Sequence, residues 1–442
     1  MATPRRSLLA ALAVLCAGAA LTFAPVAEAG VPIDTSVVLL FMSDVEGGTN
    51  SPCAQMTRRA MEIGGRAINF FVTGYYRADG NNRMTELGYK ESEGDRGFKP
   101  YTWEAAYRFS RGLSECMKVA AANNFYIVSH IHLDDGDDKG SWRNSLIYNP
   151  SAKYGALSYW EALVKPTALA IKDANFKKRG VYFSMQAEMG ATLFYYPKQY
   201  RAMISQVKSA IGGNGTPQNA IKVGVNINWE KVCGCPGTLL YSSNYYQELQ
   251  WKWNEVQAAV NVPDVQSLFK SVDWIGVSAY AGLPEYPTAA DLEESLKRVD
   301  QELKLFGMDL RSLGKEIIFS EYGVGGGETG DYKTPARDAR TAAAAPYWGV
   351  DGRYESWKDP WNRGDNRAFL RRFYDATVQF AQQGGGPNYR VKGIFLWSII
   401  SYDVTGVHYL SSSNSGSYRD TQISGQLRSH NQGLRWSGRR LQ

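Results

Sequence analysis

Eight short runs of β-branched and aromatic residues recur along the chain, each followed by a Gly- or Asp-bearing loop and then by a stretch of helical period. They are Val37 to Asp44, Ala67 to Thr73, Phe125 to His132, Val181 to Ala187, Lys222 to Asn228, Trp274 to Ala279, Glu316 to Glu321 and Val391 to Ser398. Several are apolar at consecutive positions, as in Val37-Val38-Leu39-Leu40-Phe41-Met42. That is the pattern of a parallel strand buried on both faces.

Helix starts are legible between these runs. Ser51-Pro52 places a capping residue before a first-turn proline, and Thr288-Ala289-Ala290-Asp291 reads as a capping box. Leu292, Leu296, Val299 and Leu303 then form a stripe facing a sheet. Further helices are expected over Trp103 to Ala122, Ser158 to Asn175, Tyr196 to Ile211, Asn244 to Ala259 and Asp365 to Gln383. Eight strand-then-helix units predict an α/β fold, a single-domain (β/α)8 TIM barrel with its eighth helix poorly defined; an open doubly wound sheet is the competing architecture. Two segments, 77 to 100 after strand two and 324 to 364 after strand seven, exceed ordinary connections and fall on the side where barrels carry their active-site loops.

The composition, 442 residues with 44% hydrophobic, 21% charged and 13% aromatic, excludes a coiled coil, a collagen or a disordered chain. A net charge of +6 from 49 basic and 43 acidic residues, without a long basic run before the tail, does not point to nucleic acid. Arg5 and Arg6, the apolar run Leu8 to Ala24 and the small-x-small site Ala27-Glu28-Ala29 have the layout of a secretory signal peptide. The same run of 17 residues also admits an uncleaved anchor. The expected organisation is therefore a signal peptide over 1–29, a barrel over 30–410 and a partly ordered C-terminal segment over 411–442. The mature product is expected to be extracellular, monomeric and without a membrane span. Cys16 leaves with the signal, so Cys53, Cys116, Cys233 and Cys235 remain for two disulfides of open connectivity. Asn214-Gly215-Thr216 is a glycosylation acceptor followed by Pro217.

In a barrel the residues closing each strand line the mouth. Strand one closes with Asp44 and Glu46, strand three with His130 and His132 before Asp134 and Asp135, and strand four with Gln186-Ala187-Glu188. Strand five closes with Asn228 and Trp229, strand six with Tyr280, strand seven with Glu321 and strand eight with Trp397. Glu188 and Glu321, three strands apart, form the paired carboxylates across a cleft that glycoside hydrolysis needs, each closing a strand where a charge would otherwise be costly.

With glutamates ending strands four and seven, Tyr280 ending strand six and Trp397 ending strand eight, the chain resembles the clan A retaining glycoside hydrolases. Val272 to Tyr280 and Ile317 to Gly323 look most like the β-mannanase-type and cellulase-type families. The resemblance implies that Glu188 is the general acid/base and Glu321 the nucleophile, that Tyr280 donates to the nucleophile, and that Trp397 floors the sugar site. It further implies that His132 contacts sugar hydroxyls, and Asn228 or Trp229 would line the same cleft. One departure stands out: the Asn that usually precedes the acid/base is Ala187 here, and adjacent Gln186 points to the opposite face.

Other constellations are weaker. His130, His132 and the acidic run Asp134 to Asp138 lack an assured metal geometry, Gly323 to Gly327 lacks a phosphate-loop Lys, and no GxSxG elbow is present. Trp142, Trp348, Trp357 and Trp361 lie in loop context, where indoles either stack on sugars or pack locally. No cofactor or metal is expected. The expectation is hydrolysis of a β-linked, mannan- or glucan-type carbohydrate by double displacement; a non-catalytic carbohydrate-binding barrel is the alternative.

Overall fold

The computed structural model describes residues 30–95, 97–137, 142–174, 180–212, 220–235, 244–324, 326–328, 331–344, 356–399, 407 and 418–436. The signal region, the 214–216 acceptor, Asp138, Gly325 and Trp348 lie outside them.

Eight parallel strands close on themselves: β1 (Ile33–Leu39), β2 (Ala67–Ala78), β3 (Tyr126–Asp135), β4 (Val181–Ser184), β5 (Ile221–Asn228), β6 (Trp274–Ala279), β7 (Glu316–Tyr322) and β8 (Ile394–Ile399). Each pairs with its sequence neighbour, and β1 pairs with both β2 and β8. Closure leaves no barrel edge and excludes the open sheet.

The expected boundaries shift in instructive ways. β1 begins four residues earlier than its apolar run, through Asp34, Thr35 and Ser36. Those polar residues are buried because their partners are built in: Asp34 Oδ1 accepts from the amide of Ala67 at 2.9 Å. Asp44 does not close β1. It lies in the 3-10 turn Met42–Val45, where its Oδ2 accepts from the amides of Leu40 and Phe41, each at 2.8 Å. Burial pushes its carboxyl up to about 6, against those two amides. Segment 77–100 is not an open loop, because β2 runs on into an antiparallel ribbon with Met84–Tyr89 and Lys99–Pro100.

Around the barrel lie Pro52–Ala60, Trp103–Ala122, Lys165–Asp173, Pro197–Gly212, Val262–Ser271, Glu294–Leu305, Gly364–Gln382 and Thr421–Trp436. Ser51 caps the first of these, accepting from the Ala54 amide at 3.2 Å. The stretch expected to be one helix over Asn244 to Ala259 is two short ones, and the helix leading into β6 is Val262–Ser271, started by Asn261 and Pro263. The last helix is tied to β1, with the Asn431 side chain accepting from Ile33 N at 3.1 Å and donating to Ile33 O at 2.7 Å.

Inside the barrel, side chains stack in layers. Ala67, Val128, Trp274, Ile318 and Phe395 pack at the bottom. Above them is a hydrogen-bonded polar layer. Asn69 Nδ2 donates to Ser36 Oγ at 3.0 Å and to Ser320 O at 2.9 Å, Asn69 Oδ1 meets His130 Nδ1 at 2.7 Å, and Asn226 Nδ2 donates to Ser320 Oγ at 2.6 Å. This layer joins β1, β2, β3, β5 and β7, and the next residues up their strands form the mouth. Among the described residues no helix is long and apolar enough to cross a membrane.

Candidate active site

Glu188 and Glu321 reach the mouth by two local devices. After β4 the chain turns sharply, and Glu188 adopts a left-handed backbone (φ 57°), a conformation costly for a residue with a Cβ. Gln186 holds that turn from below, its Oε1 accepting from the Met189 amide at 2.9 Å and its Nε2 donating to Asn226 O at 2.7 Å. It is thus spent on bracing, as its strand face suggested. On β7 the register against β6 slips, Val277 facing Phe319 while Ser278 faces Glu321. The bulge lets Ser320 enter the polar layer and Glu321 still face the cleft.

Both carboxyls are buried, Glu188 at 6% and Glu321 at 2% exposure. An oxygen of each and a ring nitrogen of His132 lie within 4.8 Å of one another. Glu188 Oε2 accepts from Arg143 Nη1 at 2.9 Å, its Oε1 accepts from Asn228 Nδ2 at 3.1 Å, and His132 Nε2 stands 3.7 Å from Oε2. Glu321 Oε2 accepts from the Tyr280 hydroxyl at 3.0 Å. Among the described residues, Glu321 Oε1 and Asn228 Oδ1 are buried without a hydrogen-bond partner.

This asymmetry divides the charge. Burial opposes ionisation of Glu188, but His132 and the Arg143 cation outweigh it and hold the carboxyl below its usual range. Burial and the neighbouring Glu188 charge push Glu321 well above that range, with Arg143 and Tyr280 pulling back only in part. Burial, then the Arg143 charge, lower His132, leaving it neutral at pH 7. His130, one layer down, stacks on Phe71 at 4.6 Å and is kept neutral by burial. A cation drawn to His132, Glu188 and Glu321 would meet Arg143, which already supplies positive charge there.

Trp397 packs edge-on against Phe71 (4.6 Å) and against His132 (5.9 Å), the ring whose Nε2 stands 3.7 Å from Glu188; its peptide bond to Ser398 is cis. Trp229 is engaged from helix Glu294–Leu305, with the Arg298 guanidinium 4.8 Å from its ring. Of the loop tryptophans, Trp361 is buried, Trp357 is 68% exposed and Trp142 lies 5.7 Å from the Lys231 ammonium.

The residue that sequence reasoning passed over is Arg143. It sits in the turn Arg143–Ser145 after β3, Nε donating to Leu133 O at 2.9 Å and Nη2 bonded to Asp134. Its neighbour Asn144 anchors the Glu188 turn, accepting from Gly190 N at 2.9 Å and donating to Lys231 O at 2.6 Å. The signal available was a polar Trp-Arg-Asn-Ser turn following a mouth strand, with nothing in it to specify a partner.

Gly190 is required by this packing: a Cβ there would lie 2.3 Å from Val232 O and 2.5 Å from Asn144 Oδ1. Gly190→Ala should therefore destabilise the fold by about 1–3 kcal/mol and disturb Glu188, measured as a lowered denaturation midpoint with weakened activity.

The strap after β5 is clamped by Glu302, whose carboxylate accepts from Val232 N and Cys233 N, each at 2.8 Å, and from the Tyr245 hydroxyl at 2.9 Å. Burial nonetheless raises its carboxyl from 4.5 to about 7. A raised folded-state pKa contributes stability fully present below the unfolded value and lost as pH climbs through the folded one. Between pH 4.5 and 7 this group should remove about 3 kcal/mol. Chemical denaturation of wild type against Glu302→Gln should show this fall with pH only where Glu302 is present.

No protein-family model matches the chain, and no curated protein matches it. Among solved structures it is similar to a GH113 β-mannanase from Alicyclobacillus acidocaldarius, 13% identical over 92% of this chain and 98% of that one, with a TM-score of 0.49. It is also similar to a GH5-4 broad-specificity endoglucanase from an uncultured bacterium (13%, 91% and 94%, 0.45). A third is a GH5 mannosidase from Rhizomucor miehei (11%, 93% and 95%, 0.43). The barrel itself is established by the chain's own strand pairing.

Proposed function

We propose that the chain is a secreted retaining glycoside hydrolase acting on a β-linked, mannan- or glucan-type polysaccharide or oligosaccharide. The observation that carries this reading is the buried pair Glu188 and Glu321, an oxygen of each lying within 4.8 Å of the other's at a barrel mouth floored by Trp397. Retaining enzymes hold their two carboxyls about 5–5.5 Å apart and inverting ones about 6.5–9.5 Å, so the short separation supports double displacement.

In this reading Glu321 attacks the anomeric carbon while Glu188 protonates the departing oxygen. A glycosyl ester forms on Glu321 as the glycosidic bond breaks. Glu188, now ionised, takes a proton from water, which opens the ester and regenerates both groups. Tyr280 donates to the nucleophile. Asn228, bonded to Glu188 with its Oδ1 turned to no protein donor among the described residues, supplies a polar contact for the sugar that Ala187 does not.

The test is release of new reducing ends from mannan, glucan, xylan and galactan by wild type, Glu188→Gln and Glu321→Gln. Release from one polymer that disappears in both variants supports the hydrolase. Retained binding without release from any would favour the carbohydrate-binding barrel, to which the absent Asn at Ala187 lends weight.

Secretion brings an oxidising compartment, and the cysteines fit one. Cys53 and Cys116, on two helices, have Cα atoms 5.8 Å apart, and those of Cys233 and Cys235 are 5.0 Å apart, both within the span of a disulfide. The first closes a loop with a sequence separation of 63, which by chain entropy contributes about 4 kcal/mol. Cys53→Ser should lower the denaturation midpoint by a corresponding amount, and reduction should lower the wild type by more than it lowers that variant.

A further inference from the structure

We propose that Arg143, locked in place by Leu133 and Asp134, is a positioning residue that places the single proton shared by Glu188 and Glu321 on Glu321 while the site is empty. The guanidinium is held by contacts independent of Glu188. Nε is satisfied by a backbone carbonyl of β3 and Nη2 by Asp134, which leaves Nη1 fixed 2.9 Å from Glu188 Oε2. A cation held in this way is part of the wall of the site.

The two carboxyls are too close, and too buried, to ionise together without cost, so over the working range they carry one proton between them. Glu188 faces His132 from β3, Arg143 from the turn after β3, and Asn228 from β5, while Asp134 lies behind them, bonded to Arg143 and 4.0 Å from His132 Nδ1. Glu321 faces Tyr280 and Ser278 from β6, with Glu188, His132 and the Arg143 charge beside it, and one of its oxygens lacks a hydrogen-bond partner among the described residues. The donors therefore converge on Glu188 and the lone acceptor is left on Glu321. A carboxyl with an unpartnered oxygen in a dry site is the better host for a proton.

The resulting state is the reverse of the one that the proposed reaction starts from, since Glu188 must hold the proton and Glu321 the charge. Sugar binding must therefore move one proton across the pair, and Arg143 opposes that move. This kinetic consequence rests on the hydrolase reading. The proton's resting place does not.

Glutamate carboxyl carbons labelled with 13C and titrated by NMR test the proposal directly, with Glu188→Gln and Glu321→Gln assigning the two resonances. In the wild type between pH 5 and 7, Glu188 should appear ionised and Glu321 protonated. In Arg143→Gln the Glu188 titration should move up by about one pH unit or more. Arg143→Lys, which keeps the charge, should retain most of the wild-type pattern and serves if the Gln variant folds poorly. Finding Glu188 protonated and Glu321 ionised in the wild type, or an unmoved Glu188 in folded Arg143→Gln, overturns the proposal. If a polymer is cut, both limbs of the kcat/KM profile should move to higher pH in Arg143→Gln, because removing a cation raises both proton affinities of the pair. Inactivity on every polymer would count against the hydrolase reading and leave the NMR result standing.

Discussion

Glu321→Gln is expected to lower kcat by at least about 10^4-fold while leaving the fold intact. The amide has the same shape, its oxygen still accepts from the Tyr280 hydroxyl 3.0 Å away, and no buried volume changes. In the proposed double displacement, what disappears is the nucleophile, since Glu188 is engaged by Arg143 and Asn228. Glu188→Gln should behave differently. Loss of general acid/base assistance costs about 10^2 to 10^4-fold on natural linkages, yet an activated aryl leaving group departs without a proton, so glycosylation of Glu321 survives on such substrates. Turnover then stalls at hydrolysis of the ester and shows a burst. Thermal melts matching the wild type would confirm that both effects are chemical.

Trp397→Ala should cost both stability and catalysis. The indole is 8% exposed, and its edge-on contacts with Phe71 and His132 tie the floor to β2 and β3. Deleting a buried Trp side chain typically costs about 3–5 kcal/mol through lost transfer energy and the cavity left behind. Removing the stacking surface should also raise KM more than it lowers kcat at saturating substrate. Trp357→Ala is the natural contrast. At 68% exposure in the loop after β7, its removal should leave the denaturation midpoint unchanged.

The strands were legible because parallel strands buried on both faces leave long apolar runs. The expected β6 matched the observed Trp274–Ala279, and helix Trp103–Ala122 was read at its own bounds; in the structure the Thr102 side chain caps it. The start of β1 was not legible, since Asp34, Thr35 and Ser36 look like loop until the Ala67 amide and Asn69 are seen to partner Asp34 and Ser36. The two glutamates could be picked out as charges ending apolar strands. Their ionic state could not, for it depends on Arg143, whose partner is 45 residues further along the chain. The bulge at Ser320 is hidden for a related reason. Strict alternation along β7 would have sent Glu321 and Ser320 to opposite faces, and only the pairing with β6 shows that both turn inward.

The most direct test of the double-displacement account is trapping with a 2-deoxy-2-fluoro glycoside bearing a good leaving group and matched to the polymer that is cut. The account predicts a protein whose mass rises by one fluoro-sugar, with the label on the peptide containing Glu321 and absent from Glu321→Gln. Hydrolysis of the polymer with no adduct on Glu321, and a first product of inverted anomeric configuration, would contradict it.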